Sequence, residues 1–265
     1  MKQEISDFST TTETRRLDCP IHGTVEARVI ILNGKEMFAP ICPKCADEQL
    51  KKNEEQKKAQ QTQEEARARR SFIESALQRA SIPLRFQSHS FETFLTKSPE
   101  QEKNKKIAMD YAAKFPEILK KGTSMIFCGT TGTGKTHLAC SIANEIIKDH
   151  ACTALFISTI DAVRRVKETY RKNSEETERE AIAWFSRFNL LILDEVGVQF
   201  GSDTERMILF EIINKRYENM LPTIFLSNLS IANLKDFVGD RIIDRMKENG
   251  GRQLNFVWES NRNNN

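Results

Sequence analysis

The stretch SMIFCGTTGTGKT, residues 124–136, decides the fold of this chain. An apolar run, residues 124–128, leads into the pattern G-x-x-x-x-G-K-[ST], and a helical pattern begins at Lys135. Glycines allow backbone N–H groups to turn inward around phosphates, because no Cβ stands in the way. The positive end of the following helix dipole also favours anions. A strand, this loop and a helix in succession predict a nucleotide site.

The eight residues of the loop have distinct predicted roles. Lys135 is expected to reach the β- and γ-phosphates, and the hydroxyl of Thr136 is expected to hold Mg²⁺. The backbone of the loop supplies the rest of the phosphate cradle, which comprises Gly129, Thr130, Thr131, Gly132, Thr133, Gly134, Lys135 and Thr136.

A second acidic motif lies in LLILDE, residues 190–195. The four apolar residues predict a buried parallel strand, and ligands bind at the carboxyl ends of such strands. Asp194 is expected to hold Mg²⁺, while Glu195 is the candidate to orient and deprotonate the attacking water. The amide of Asn228, after the apolar run 223–227, is a candidate contact for the γ-phosphate or this water, although an asparagine there is often only a turn former.

Short apolar runs alternate with amphipathic stretches from about residue 100 onward. This alternation predicts an α/β fold in which a parallel sheet lies between helices. The predicted strands cover 124–128, 153–158, 190–194 and 223–227, and the predicted helices cover 135–149, 161–172, 177–188 and 203–219.

The amino-terminal region carries four potential metal ligands: Cys19, His22, Cys42 and Cys45. Their spacing, C-x₂-H followed by C-x₂-C, suits a tetrahedral Cys₃His zinc site. Residues 25–32 alternate as in a strand and precede Asn33-Gly34, a hairpin-turn dipeptide. We therefore expect a small zinc-ribbon-like module with a structural Zn²⁺, because so short a segment has few apolar side chains from which to build a core.

Composition divides the chain into a zinc-binding module at 1–45, a charged helical linker at 46–80, a large domain at 81–262 and a tail at 263–265. The linker is rich in Lys, Glu, Gln, Arg and Ala, which favour a solvated helix. It is either a spacer or a helix that docks a partner. Apolar residues appear at helical spacing only near its end, at Phe72, Ile73, Ala76 and Leu77.

The overall composition excludes several classes of protein. The 265 residues are 39% hydrophobic and 29% charged, with a net charge of +3, so charge alone does not indicate a nucleic-acid partner. No apolar run is long enough to span a bilayer, and no signal-peptide pattern opens the chain. We expect a cytoplasmic protein without a membrane partner. Its other cysteines, Cys128, Cys140 and Cys152, are expected in the core.

Several motifs in a fixed order resemble the DnaC family of replicative helicase loaders, which are AAA+ ATPases. The resemblance covers residues 80–262 and rests on GTTGTGKTHLA, LLILDEVGVQ, FLSNLS, GDRIIDRM and GGRQLNFVWESNR. It implies an AAA+ P-loop NTPase fold, ATP with Mg²⁺, and delivery of a ring helicase onto single-stranded DNA. The amino-terminal cysteines are closer to the related DnaI-type loaders, so the zinc module, helix 46–80 or both are expected to dock the helicase.

The resemblance also implies roles for residues outside the two nucleotide motifs. Asn228 matches the sensor at the tip of the fourth strand, and Arg262 matches a nucleotide-sensing arginine near the end of the domain. Arg245 matches the arginine that completes the ATP site of a neighbouring subunit, which implies self-association. The alternative for Arg245, and for Arg241 before it, is a surface ion pair with Asp240 or Asp244.

The first amphipathic stretch after the second strand carries a candidate DNA contact. Val163, Val166 and Tyr170 share a face that is expected to pack in the core. The basic residues Arg164, Lys167 and Arg171 repeat the same spacing one position later. DnaC-type loaders hold single-stranded DNA with an insertion at this place, which favours phosphate contacts over the alternative of a merely solvated face.

Two other functions fit the same residues. One is an IstB-type ATPase that regulates DNA transposition, and the other is a nucleotide-dependent helicase adaptor with little turnover. The zinc ligands and the WESNR ending favour the loader. The oligomer size, the ATPase rate and the identity of the helicase partner do not follow from the sequence.

Overall fold

The computed structural model describes residues 10–197 and 202–260. The chain divides into two compact units, Met1–Ala68 and Arg69–Asn265, which are described separately below. Within the described residues, no helix is both long and apolar enough to cross a membrane.

The first unit contains a three-stranded antiparallel sheet. Its strands are β1 (Thr10–Cys19), β2 (Gly23–Leu32) and β3 (Lys35–Glu36). Ala27 and Val29 of β2 are buried, while Glu26, Arg28 and Ile30 are exposed, as the predicted alternation requires. Asn33 and Gly34 have φ values of +47° and +76°, which confirms the predicted tight turn between β2 and β3.

One long helix, α1 (Pro43–Arg79), follows the sheet and confirms the predicted helical segment. Residues 46–68 are all exposed. Near its end, within the second unit, Ala76 is buried and Phe72, Ile73 and Leu77 pack against a hydrophobic core. The last turns of α1 are therefore part of the packing of the second unit, ahead of the predicted domain start at residue 81.

The second unit is a five-stranded parallel sheet between helices. The strands are β4 (Met125–Gly129), β5 (Ala154–Ser158), β6 (Leu190–Asp194), β7 (Thr223–Ser227) and β8 (Arg252–Phe256). Their spatial order is β5-β6-β7-β4-β8. The helices are α2 (Pro99–Ala113), α3 (Phe115–Lys121), α4 (Lys135–His150), α5 (Thr159–Lys167), α6 (Glu178–Trp184), α7 (Asp203–Glu218), α8 (Ile231–Val238) and α9 (Asp240–Lys247).

The predicted strands are confirmed to within one residue, but β8 was not predicted. Its sequence RQLNF buries only Leu254 and Phe256. An edge strand with two apolar residues does not form the continuous apolar run that marked the other four strands. β8 pairs in parallel with β4, the strand that enters the phosphate loop.

Hydrophobic cores cover both faces of this sheet. Helix α4 packs on one face with Phe115, Phe127 and Phe256. Helices α5, α6, α7 and α9 pack on the other face around Phe185 and Phe225. Cys128 and Cys140 are buried and Cys152 is partly buried against the first core, as predicted.

The two predicted helices before β6 are shorter than their patterns suggested. Helix α5 ends at Lys167, and a 3₁₀ turn, Glu168–Tyr170, follows it. Helix α6 begins with a reciprocal capping box between Thr177 and Glu180. The prediction that Tyr170 packs in the core is wrong: it is 52% exposed, and its hydroxyl donates to Glu178 at 2.7 Å.

Candidate functional site

The loop between β4 and α4 is shaped by its glycines. Gly129, Gly132 and Gly134 have positive φ values of 141°, 81° and 95°. A Cβ at Gly129 would lie 2.1 Å from the carbonyl oxygen of Phe256, so no other residue fits there. Nζ of Lys135 donates to the carbonyl oxygens of Gly129 and Thr130, both at 2.7 Å. The cationic head therefore lies over the predicted phosphate loop.

Two aromatic residues that the motif did not predict support this loop. The ring of Phe94 packs on Gly134, where a Cβ would lie 2.5 Å from the ring. The indole Nε1 of Trp258 donates to the carbonyl oxygen of Thr133 at 2.9 Å. Trp258 also packs on Phe256 of β8, with ring centroids 5.0 Å apart. The loop is thus supported by one residue from before the sheet in sequence, Phe94, and by one from after its last strand, Trp258.

The segment before α2 is attached to the first turn of α4 through His137. Nε2 of His137 lies 3.0 Å from both the carbonyl oxygen of Ser90 and the hydroxyl of Thr93. The imidazole of His89 stacks on His137 at 3.9 Å. Burial lowers the pKa of both histidines, so the neutral forms are favoured in this stack.

The predicted acidic pair lies next to the phosphate loop. Asp194 ends β6, and burial raises the pKa of its carboxyl group. The backbone N–H of Glu195 donates to Asp194 at 2.8 Å, and the hydroxyl of Thr136 also lowers this pKa through a hydrogen bond. The two predicted Mg²⁺ ligands, Thr136 and Asp194, are therefore neighbours, and Lys135 acts on the same carboxyl group electrostatically.

Glu195 and Asn228 follow neighbouring parallel strands. Glu195 is exposed and has a φ of +58°, a left-handed conformation that costs a non-glycine residue about 1–3 kcal/mol. The loop after it is fixed to β7, since the N–H of Val196 donates to Leu226 at 2.9 Å and the hydroxyl of Ser227 donates to Val196. Asn228 is exposed directly after β7.

Arg245 contacts aromatic rings and not the carboxylates that the ion-pair alternative predicts. Asp240, one of the two proposed partners, pairs with Lys235 at 3.2 Å, and among the described residues no ion pair joins Arg245 to Asp244, the other. Arg245 instead lies over the rings of Phe210 and Tyr217 of α7. Arg241 is exposed on α9, and the candidate Arg262 lies outside the described residues.

The four predicted zinc ligands converge in the first unit. The sulfurs of Cys19, Cys42 and Cys45 and the Nδ1 of His22 all lie within 4.8 Å of one another. Cys19 ends β1, His22 lies in the turn before β2, and Cys45 lies in the first turn of α1. Three sulfurs and one imidazole nitrogen at these separations fit a closed tetrahedral Zn²⁺ site.

Groups around this cluster favour metal ligation. Hydrogen bonds from the backbone N–H groups of Ile21 and His22 lower the pKa of Cys19 to about 6, which favours the thiolate. Nε2 of His22 lies 3.2 Å from the carboxylate of Glu48 on α1. A carboxylate at this nitrogen orients the ring so that Nδ1 faces the metal. The sequence pattern did not reveal Glu48, because its role depends on the fold of the turn.

The basic residues proposed for DNA do not form one continuous helical stripe. Arg164 pairs with Asp161 at 3.1 Å, and Lys167 pairs with Glu205 at 2.7 Å. Arg171 is exposed and has an extended backbone beyond the 3₁₀ turn. The helical spacing assumed for all three fails at Arg171, because α5 has already ended.

Comparison with known proteins identifies relatives along most of the chain. A model of the family described as "IstB-like ATP binding protein" matches residues 41–247. The replicative helicase loader DnaC of Buchnera aphidicola (subspecies Schizaphis graminum) is 34% identical over 72% of this chain and 76% of its own length. DnaC of Escherichia coli K12 is 31% identical over 86% and 92% respectively.

A solved structure agrees with the fold. A crystal structure of the DnaC helicase loader superimposes with a TM-score of 0.59 and 23% identity, covering 66% of this chain and 99% of that one. The glycine loop, the acidic strand end and the parallel sheet are thus found in a chain that matches the IstB-like ATP-binding family and resembles DnaC helicase loaders in sequence. The chain belongs to the IstB-like ATP-binding family and is a DnaC-type AAA+ protein.

Proposed function

We propose that this protein is an ATP-dependent loader that delivers a replicative ring helicase onto single-stranded DNA. The observation that carries the proposal is the assembly of Lys135, Thr136, Asp194 and Glu195 at one edge of the sheet, in a chain 31–34% identical to DnaC loaders. The function named for those relatives supports the same role here.

The phosphate loop binds the triphosphate of ATP. Its glycines present backbone N–H groups to the phosphates, and the N-terminus of α4 adds its dipole. Lys135, now bonded to two loop carbonyls, exchanges these contacts for phosphate oxygens, which bind an ammonium group more strongly because they are charged.

Thr136 and Asp194 hold Mg²⁺, which supplies charge neutralisation on the β- and γ-phosphates. The two side chains already share a hydrogen bond. Burial raises the pKa of Asp194 even though Lys135 lowers it electrostatically, and a divalent cation favours the charged form of the carboxyl group. The contact and the burial of the carboxylate both support this assignment.

Glu195 accepts the proton of the attacking water, and Asn228 orients that water. Both residues follow the ends of adjacent strands, at the edge where α/β sheets bind ligands. The strained backbone of Glu195 supports this role, since strain of this kind clusters at functional positions. Arg245 of one subunit completes the ATP site of the next, and Arg262 contacts nucleotide from within its own chain.

The amino-terminal region binds the helicase in this proposal. Residues 1–45 form a structural zinc module, residues 46–80 a helical linker, and residues 81–262 the ATPase domain. We infer that the module docks the helicase, because Phe38 and Ile41 are 70% and 67% exposed beside a cleft of about 590 Å³. Helix residues 46–68 are exposed and lack the apolar stripe that helix-in-groove docking requires.

A helicase pull-down tests this proposal. Tagged protein is incubated with the purified replicative helicase of the same organism, with ATP, and retention is compared between wild type and the double variant Phe38→Ser/Ile41→Ser. Retention by wild type and loss in the double variant would support docking through the module. Stable retention of a transposase, with no retention of the helicase, would favour the IstB-type alternative.

A further inference from the structure

The guanidinium of Arg245 lies against two aromatic rings of one helix. Its central carbon is 5.1 Å from the ring centroid of Phe210 and 5.2 Å from that of Tyr217. The two rings are seven residues apart on α7, so they lie on the same face, two turns from each other. Arg245 itself projects from α9. We call the two rings that contact the arginine, Phe210 and Tyr217, the aromatic clamp.

The clamp leaves the arginine without a carboxylate partner. Among the residues that the structure describes, no ion pair forms at Arg245, whereas Arg164, Arg165 and Arg206 each have an acidic partner. Its Nη1 is buried and donates no hydrogen bond to the described residues. A buried N–H group that lacks a partner costs free energy, so this position of the guanidinium depends on its contacts with the two rings.

One further contact fixes the clamp. The hydroxyl of Tyr217 donates to the carboxylate of Glu248 at 2.5 Å, just after α9 ends. Tyr217 is therefore held from both sides, by α7 and by the carboxyl end of the helix that carries Arg245. The orientation of this ring is set by the same two helices that determine the position of Arg245.

Ring faces and carboxylates differ in whether they leave the charge and the N–H groups of an arginine available to a phosphate. A carboxylate binds the N–H edge of the guanidinium and neutralises its charge, so an incoming phosphate must compete with it. An aromatic face attracts the cation through its quadrupole and leaves the N–H edge available. An arginine that stabilises phosphoryl transfer needs this second arrangement, because its N–H groups must meet charge that develops on the phosphate.

We propose that Phe210 and Tyr217 are positioning residues for Arg245, which is partly exposed; they hold its charge without neutralising it, so that its N–H groups other than the buried Nη1 meet the γ-phosphate bound by a neighbouring copy of this chain. The proposal deepens the function proposed above and rests on it. It gives α7 two roles: its amino end follows the acidic strand of its own ATP site, and its carboxyl half orients the arginine for the next site.

Steady-state ATP hydrolysis by the full-length protein tests the clamp. We expect Tyr217→Leu and Phe210→Leu each to lower kcat about 3- to 30-fold, the range that loss of one cation–π contact supports, with KM for ATP nearly unchanged. Tyr217→Phe keeps the ring and should retain more activity than Tyr217→Leu. Tyr170→Leu makes the same change at an exposed tyrosine outside the site and should leave turnover unaltered.

Mixed oligomers show which side of the interface is defective. Lys135→Ala subunits retain Arg245 but lack a working phosphate loop, so adding them to Tyr217→Leu subunits should restore turnover. Arg245→Ala subunits lack the arginine as well, so they should not restore it. A double variant that carries both Tyr217→Leu and Arg245→Ala should have the same kcat as Arg245→Ala alone, because both changes act through the same guanidinium.

The outcomes separate this proposal from the one on which it rests. If Arg245→Ala hydrolyses ATP normally, the trans-acting role of Arg245 fails, and the clamp has no catalytic purpose. If Arg245→Ala is inactive while Tyr217→Leu and Phe210→Leu both hydrolyse ATP within two-fold of wild type, the clamp proposal is overturned and the role of Arg245 stands. Nucleotide binding by each variant reports that the domain has folded.

Discussion

Nζ of Lys135 lies 2.7 Å from the carbonyl oxygen of Gly129, the first residue of the predicted phosphate loop. The contact closes the loop on itself around a buried ammonium head group. Asp194 lies close enough for this charge to lower the pKa of its carboxyl group. One lysine therefore links the predicted phosphate loop to the strand that supplies the acidic pair.

Substitutions at the two ends of the site should have different effects. We expect Lys135→Ala to abolish ATP binding, because it removes the cation that contacts the phosphates in the ground state. Glu195→Gln should bind ATP normally and hydrolyse it about 10²- to 10⁴-fold more slowly, because it removes only the proton acceptor. Fluorescent-nucleotide binding and phosphate release measure the two effects, and near-normal hydrolysis by Glu195→Gln would remove Glu195 from its proposed role.

Metal analysis should find one tightly bound zinc ion per chain. Cys42→Ser or Cys45→Ser should release it, because each removes one of four ligands that lie within 4.8 Å of one another. The ATPase domain should stay folded and bind ATP, because all four ligands lie in the first unit. Protein purified without chelator that contains no zinc would contradict the assignment.

Glu48 offers a finer test of the same site. Glu48→Ala should weaken zinc binding about 10- to 100-fold, because His22 loses the carboxylate that orients it. A chelator-competition titration measures this change. Glu55→Ala, on the exposed part of the same helix, serves as the matched control.

The basic residues should contribute unequally to binding of single-stranded DNA. Replacing Arg164, Lys167 and Arg171 together by Ala should reduce the salt slope of the affinity by up to roughly 2, since each phosphate contact contributes about 0.7. Arg171→Ala should account for most of the loss, because the other two side chains have carboxylate partners. Anisotropy titrations at several salt concentrations measure the slope.

The ATP affinity should not change in these variants, and Lys120→Ala, at an exposed cation on α3, provides the control for the loss of one charge in Arg171→Ala. A salt slope equal to that of wild type in the triple variant would place the DNA site elsewhere.

Arg216 stabilises the second unit from inside. It is completely buried and donates to the hydroxyl of Thr223 at 3.0 Å and to the carbonyl oxygens of four residues, Phe185, Phe188, Asn189 and Pro222. Arg216→Met leaves these acceptors without donors, so we expect a loss of about 3–5 kcal/mol in the free energy of unfolding. Urea denaturation measures it, and the exposed Arg206→Met should change it by less than about 0.5 kcal/mol. An equal effect of the two substitutions would contradict this role.

The sequence predicted those parts of the site whose chemistry is local. The predicted phosphate loop is one short pattern, and the predicted zinc ligands form two close pairs, Cys19 with His22 and Cys42 with Cys45, which the fold brings together. The supports of the loop could not be predicted, because Phe94 and Trp258 approach it from distant parts of the chain. The prediction for Tyr170 was wrong because helical spacing was continued past Lys167, where the backbone becomes a 3₁₀ turn.

The central claim is that ATP binding at this site drives delivery of a helicase onto single-stranded DNA. The most direct measurement is retention of the labelled replicative helicase on closed circular single-stranded DNA, which a preformed ring cannot thread, after a high-salt wash. Wild-type protein with ATP should raise retention strongly, and Lys135→Ala should leave it at the level of helicase alone. Equal retention with Lys135→Ala, or no increase with wild type, would contradict the account.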